Sequence, residues 1–69
     1  MTKFYRAFAL RASPGANLSI SFQADSLQLA ADHARHHCRA EGVEYVGVRY
    51  LGREEPDSPD FGHFKEIAP

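Results

Sequence analysis

The sequence has one cysteine, little net charge and no long apolar run, and each shortage excludes a class of protein. The lone Cys38 rules out an internal disulfide framework and a multi-cysteine zinc site. No run approaches the roughly 18 apolar residues of a membrane span, and the opening residues lack the apolar core of a signal peptide. We therefore expect a cytoplasmic protein without a membrane partner.

The formal charge of −1 and the length of 69 residues restrict the possible functions of the chain further. A polybasic nucleic-acid binder would be clearly positive. A domain this small buries only about 60% of its unfolded surface, so a deep catalytic pocket would compete with the core for the same interior. The five glycines are scattered and form no phosphate-binding loop. We expect a single domain over residues 1–69 that is not an enzyme, carries no cofactor and binds a partner at its surface.

Local patterns predict a hairpin at the start of the chain. Residues 3–11 are apolar almost throughout, which favours a central strand covered on both faces. Turn-forming residues fill positions 12–17, and apolar and polar residues then alternate over 18–24, as in a strand with one buried face.

A helix and a third strand are predicted to follow. Asp25 or Ser26 can cap the helix at its start, and Gly42 should end it. Five residues fall on one stripe of this helix and are expected to contact the sheet closely: Leu27, Ala30, Ala31, Ala34 and Cys38. Residues 43–51 again alternate like a strand.

The remaining chain is a proline-containing acidic loop over 52–60, followed by either a short fourth strand or a packed tail over 61–69. The predicted fold class is α+β, with a single-layer antiparallel sheet, ββαβ or ββαββ, in the order 2-1-3-4. The helix packs on one face, and the other face is left open to solvent or a partner.

Alternation assigns the side chains of the sheet to its two faces. The helix side is expected to hold Phe4, Phe8, Leu10, Ile20, Phe22, Val46 and Val48. The open face is expected to show Tyr5, Ala7, Ala9, Arg11, Ser19, Ser21, Tyr45 and Arg49. Arg6 is the exception, because this assignment puts it on the helix side and its side chain must reach the rim.

Three surfaces are candidates for partner binding. Two tyrosines and two arginines of the open face combine stacking with positive charge, as single-strand nucleic-acid platforms do, although ordinary cross-strand pairing or a homodimer interface would use the same residues. These four residues are Tyr5, Arg11, Tyr45 and Arg49. The acidic loop offers Glu54, Glu55, Asp57 and Asp60 to a basic groove of a partner. The back of the helix groups Leu29, His33 and His36 into a contact patch.

Histidines suggest a metal site as a further hypothesis. His33 and His37 are four residues apart, so one helix face presents both imidazoles, and His63 or a loop carboxylate would have to complete the ligand set. The alternative is a helix that is merely rich in histidine. Cys38 lies on the apolar stripe and is expected to fill the core without a catalytic role.

One resemblance concerns the layout of residues 1–52. An opening hairpin leads through Phe22-Gln23-Ala24-Asp25-Ser26-Leu27 into an alanine-rich helix, and Gly42-Val43 returns the chain to a strand. This layout resembles small phage-encoded anti-CRISPR inhibitors and related phage accessory proteins. The resemblance implies a non-enzymatic inhibitor that binds a host nucleic-acid-handling defence complex, such as a CRISPR effector complex. The alternatives are a nucleic-acid-binding module and a histidine-based metal-binding protein.

Overall fold

The computed structural model describes residues 3–12 and 15–67, which form one antiparallel sheet and one helix. The strands are β1 (Lys3–Arg11), β2 (Ala16–Ala24), β3 (Glu44–Gly52) and β4 (Lys65–Glu66), and the helix is α1 (Leu27–Glu41). The predicted α+β class is confirmed. No helix in this part of the chain is long and apolar enough to cross a membrane.

The predicted hairpin is confirmed. β1 and β2 pair antiparallel from Lys3 opposite Ala24 to Arg11 opposite Ala16. Positions 13 and 14 of the predicted turn lie outside the described residues. β1 is an interior strand, as predicted, because β3 pairs antiparallel on its other side.

Both predicted ends of the helix are confirmed. The Ser26 side chain accepts a hydrogen bond from the backbone N–H of Leu29 at 3.2 Å, which satisfies one of the free amides of the first turn. Gly42 takes a left-handed conformation with φ of 70°, and its N–H donates to the carbonyl of Arg39. Such a conformation favours glycine because it lacks a Cβ atom.

The order of the sheet is β3-β1-β2-β4, so the three main strands are placed as predicted and the fourth is not. β4 was expected beside the third strand, but it pairs antiparallel with β2 through Leu18 and Ser19. The reason lies in the connection from β3, which crosses to the far edge of the sheet. There the backbone of residues 60–62 exchanges hydrogen bonds with the backbone of Ser21, and the N–H of Ile67 donates to the carbonyl of Asn17.

The predicted faces of β1 are wrong. Tyr5, Ala7 and Ala9 are buried against the helix side, so Phe4, Arg6, Phe8 and Leu10 point to the opposite face. Because the strand is apolar on both faces, its composition does not distinguish them. Two alanines at the centre of the helix-facing side allow the close approach that Ala30 and Ala34 of α1 require.

One irregularity in β3 overturns the predicted faces of Tyr45 and Val46. The β1–β3 register shifts between Phe8 and Ala9, so Ala9 pairs with Tyr45 and the residue Val46 is skipped. A bulge of this kind turns the following side chains over. Tyr45 consequently packs on the helix side, whereas Val46, expected in the core, is 62% exposed.

The helix stripe is narrower than predicted. Ala30, Ala34 and Cys38 are buried, but Leu27 at the first turn is 55% exposed. Leu27 lies at the first turn of the helix and lines a surface hollow together with Tyr5 of β1 and Tyr50 of β3.

Candidate functional site

The predicted nucleic-acid platform does not form. Tyr5 is 3% exposed in the core, where its ring packs against Tyr50 with centroids 5.5 Å apart. Tyr45 lies on the helix side beneath the guanidinium of Arg35, 5.2 Å from the ring centroid. Arg11 and Arg49 remain exposed, but alternation places Arg11 on the same face of β1 as Tyr5 and Ala9, whereas Arg49 pairs with Arg6 on the opposite face. The four predicted residues therefore do not share one open face of the sheet.

Asp60 was predicted to be an exposed acid, and it is instead 3% exposed. Its carboxylate accepts hydrogen bonds from the hydroxyls of Ser19 and Ser21, each at 2.6 Å, and from the hydroxyl of Ser58. The Nε atom of Arg6 lies 3.1 Å from Oδ2 of Asp60. These five residues, named here the Asp60 cluster, hold the acidic loop against the face of the sheet opposite α1.

Ionisation of Asp60 is favoured despite its burial. Burial alone would raise the pKa of this carboxyl, but the three serine hydroxyls and the Arg6 guanidinium outweigh it and hold the pKa below its ordinary value. Arg6 also donates to Ser21 and Ser58, at 3.2 and 2.9 Å. Arg6, which was predicted to lie on the helix side and reach the rim, instead pairs with Asp60 on the opposite face, and the cluster is structural.

The other predicted loop acids are on the surface. Glu54, Glu55 and Asp57 are exposed, as predicted, and remain available to a basic partner. The loop that carries them is fixed at both ends, since β3 precedes it and the Asp60 cluster follows it.

The back of the helix forms one wall of a groove, named here the α1 groove, with a volume of about 560 Å³. The other wall is the end of β2 and the turn after it. The groove brings together all three residues of the predicted helix patch. Its lining consists of Gln23, Ala24, Asp25, Leu29, Asp32, His33, His36, His37 and Ala40.

Leu29 is the largest apolar side chain of the α1 groove and is 53% exposed. An imidazole one turn further on, His33, rests against the ring of Phe22, with centroids 5.0 Å apart. The lining of the groove therefore combines the apolar side chain of Leu29 with imidazoles and with the carboxylates of Asp25 and Asp32. Sequence reasoning missed the β2 wall, because only the tertiary structure places Gln23 and Ala24 opposite the helix.

His33 and His37 are in direct contact. Their Nε2 atoms lie 3.1 Å apart, and their rings meet edge to face with centroids 4.5 Å apart. Burial, followed by the charges of His37 and His36, lowers the pKa of His33 below its ordinary value. Its imidazole is therefore mostly neutral at pH 7.

The predicted third ligand does not join this pair. His63 lies in the segment that follows Asp60 at the β2 edge, and its backbone N–H donates to the Asp60 carbonyl. Over residues 3–12 and 15–67, no group of three or more histidine, cysteine, aspartate or glutamate side chains is arranged to hold a metal ion. A site closed by three protein ligands from these residues is therefore excluded.

Cys38 is buried in the core beside Ala9 and Leu18, as predicted. Burial raises the pKa of its thiol, so little thiolate is present at neutral pH.

No protein-family model, curated protein or solved structure matches the chain in the comparisons made. The resemblance to phage-encoded inhibitors accordingly stays a prediction.

Proposed function

We propose that this chain is a non-enzymatic binding protein that takes an extended segment of a partner protein into the α1 groove. The observation that carries this proposal is the coincidence of an exposed apolar groove with an unpaired end of a strand. Leu29 supplies an apolar contact, and Gln23 supplies backbone groups for pairing.

The edge of β2 is occupied only along part of its length. Asn17 and Ser21 point their backbone groups outward, because the carbonyl of Asn17 accepts from Ile67 and Ser21 exchanges bonds with Asp60 and Gly62. Outward groups recur at every second residue of a strand, so those of Gln23 also point outward. No bond to them comes from the described residues. This end of β2 is a template for one more strand.

An added strand would place alternate side chains over the groove. Addition of a peptide to a sheet edge derives affinity from main-chain hydrogen bonds and specificity from pockets for every second side chain. Leu29 and the His33 ring offer an apolar surface to those side chains, and Asp25 favours a basic residue nearby, whereas Asp32 already pairs with Arg35 at 3.4 Å. The preferred segment is therefore extended, apolar at alternate positions and basic at one end.

The partner class that we propose is a host nucleic-acid-handling complex, which this protein would inhibit as small phage-encoded proteins do. Two features support it: the layout of residues 1–52 resembles those inhibitors, and the exposed acids Glu54, Glu55 and Asp57 can occupy a groove that normally binds phosphates. Direct nucleic-acid binding lacks such support, since Tyr5 and Tyr45 are turned toward the helix.

The binding mode can be tested without knowing the partner. A displayed library of random peptides of about 10 residues is selected for binding to the purified protein in the presence of a metal chelator. We expect enriched peptides with alternating apolar residues. Their affinity should fall at least about tenfold for Leu29→Asp, which corresponds to about 1.4 kcal/mol.

Two matched controls make the test specific. Leu27 has almost the same exposure as Leu29 but lies outside the α1 groove, so Leu27→Asp should leave binding unchanged. Gln23→Pro removes the outward N–H and should weaken binding, whereas Gln23→Ala retains that N–H and should not. Equal effects of the two leucine variants, or no enrichment at all, would overturn the groove as the binding surface.

The partner class is tested separately in cells that carry an active CRISPR system and are challenged with a targeted plasmid. Expression of the protein should raise plasmid survival, and the double variant Glu54→Lys, Glu55→Lys should lower the effect by slowing association. Unchanged survival across the CRISPR types tested would remove this partner class. Full activity of the charge-reversed variant would show that the acidic loop is a passive linker.

A further inference from the structure

We propose that His33 and His37 form a bidentate site for a borderline transition-metal dication, with Cu²⁺ bound more tightly than Zn²⁺. The site lies on the helix wall of the α1 groove, and it does not depend on the docking of a partner there.

The distance between the two donor atoms suits one metal ion. Zinc–imidazole bonds of about 2.0–2.1 Å at a tetrahedral angle place two nitrogens roughly 3.3–3.4 Å apart. Two neighbouring positions of a square-planar Cu²⁺ centre, with bonds of about 2.0 Å, place them roughly 2.8 Å apart. The observed Nε2–Nε2 distance of 3.1 Å lies between these values, so small rotations of the rings satisfy either geometry.

The two rings are already positioned for chelation. Residues four apart on a helix lie on the same face one above the other, and the Phe22 ring packs against His33 at 5.0 Å. Less side-chain freedom is therefore lost on binding than for two histidines on a free surface. In the metal-free protein, one ring donates its Nε2–H to the Nε2 atom of the other. When the metal binds, that hydrogen moves to Nδ1 of its own ring, so that both Nε2 lone pairs face the ion.

The electrostatic surroundings favour a cation. Asp25 lines the groove and carries negative charge, Asp32 lines it as one half of an ion pair with Arg35 at 3.4 Å, and His36 is the third imidazole along the same wall. Since no third ligand from the described residues joins the pair, the remaining coordination positions are filled by water and face the groove. Imidazole nitrogen prefers Cu²⁺, Ni²⁺ and Zn²⁺ to the oxygen-seeking Mg²⁺ and Ca²⁺.

Calorimetric titration of the untagged full chain with CuCl₂ and with ZnCl₂ tests the site near neutral pH. We expect binding of one ion per chain, tighter for Cu²⁺, and none for MgCl₂. His33→Ala and His37→Ala should each weaken Cu²⁺ binding at least about tenfold, because the chelate becomes a single ligand. His63→Ala is the matched control and should leave the affinity unchanged, since His63 lies outside the pair.

Electron paramagnetic resonance of the Cu²⁺ complex provides a second readout, in which two equivalent nitrogen couplings are expected and one should remain after His37→Ala. His33→Gln is measured beside His33→Ala, and circular dichroism verifies that each variant is folded. Binding that is absent in the wild type, that persists in both helix variants or that is lost with His63→Ala would overturn the proposal. These results are independent of the peptide selection, which is performed with chelator present.

Discussion

Replacing Asp60 by alanine removes the acceptor on which the whole Asp60 cluster depends. The hydroxyls of Ser19 and Ser21 would lose their bonds of 2.6 Å, and the Arg6 guanidinium would lose its carboxylate partner at 3.1 Å. The loop that passes over the face of the sheet would then keep its backbone bonds to Ser21, the Arg6–Ser58 hydrogen bond and the contact between the rings of Phe61 and Phe4. We expect this substitution to destabilise the fold more than any other change in the acidic loop.

The size of the loss can be worked from these contacts. Removing one partner of a buried ion pair costs about 3–5 kcal/mol, and each hydrogen bond to a charged group contributes about 1.5–3 kcal/mol, without additivity. The side chain of Asp60 is 5% exposed, but that of Arg6 is 29% exposed and regains water when unpaired. We therefore expect a loss of about 2–4 kcal/mol. Small domains are stable by roughly 0.05–0.15 kcal/mol per residue, so this is a large fraction of the total.

Thermal and urea unfolding followed by circular dichroism provide the assay. A loss of 2 kcal/mol or more should lower the Tm by at least about 8 °C in a domain of this size. Asp57→Ala is the matched control, because Asp57 is an exposed acid of the same loop and should unfold like the wild type. If Asp60→Ala and Asp57→Ala unfold at the same temperature, Asp60 is not the anchor described here.

The pH dependence of the free energy of unfolding distinguishes the contribution of the Asp60 charge from that of the shape of its side chain. The cluster holds the pKa of Asp60 below its ordinary value, so its contribution is present above about pH 4 and is lost as the pH falls through the lowered pKa. Asp60→Asn retains the shape without the charge. The difference in stability between the wild type and this variant should therefore shrink as the pH falls below about 4. A difference that stays constant down to pH 2 would mean that the charge contributes nothing.

Two predictions concern the core under the helix. Ala34 is fully buried, so Ala34→Leu should overpack the helix–sheet interface and lower the free energy of unfolding in urea by about 1–3 kcal/mol. The same change at the exposed Ala40 should leave that free energy unchanged. Equal unfolding midpoints for the two variants would contradict the assigned orientation of the helix. The buried Cys38 thiol has a raised pKa, so a thiol reagent should label it slowly in the native protein and rapidly in denaturant; rapid native labelling would contradict its burial.

Much of the local structure followed from short-range chemistry. The helix begins after Ser26, whose side chain accepts a hydrogen bond from a free amide, and it ends at Gly42, which tolerates a left-handed backbone. Both effects act within a few residues. The alternation over 18–24 placed Leu18, Ile20 and Phe22 in the core, since only one face of that strand is apolar. The contact patch on the back of the helix was also predictable, because helical spacing alone puts Leu29, His33 and His36 together.

What the sequence left open was decided by contacts between distant segments. β1 is apolar on both faces, so its orientation depended on which face could accept the alanines of the helix. The bulge at Val46 arises in the pairing of β3 with β1. From the sequence alone, Asp60 is interpreted as a solvated acid. In the folded chain it contacts Arg6, Ser19 and Ser21, which lie 39 or more residues earlier. A local pattern contains no information about such partners, because their energies arise only after the backbone has brought them within hydrogen-bonding distance. The distance between the two imidazole nitrogens and the unpaired end of β2 are likewise properties of the folded chain.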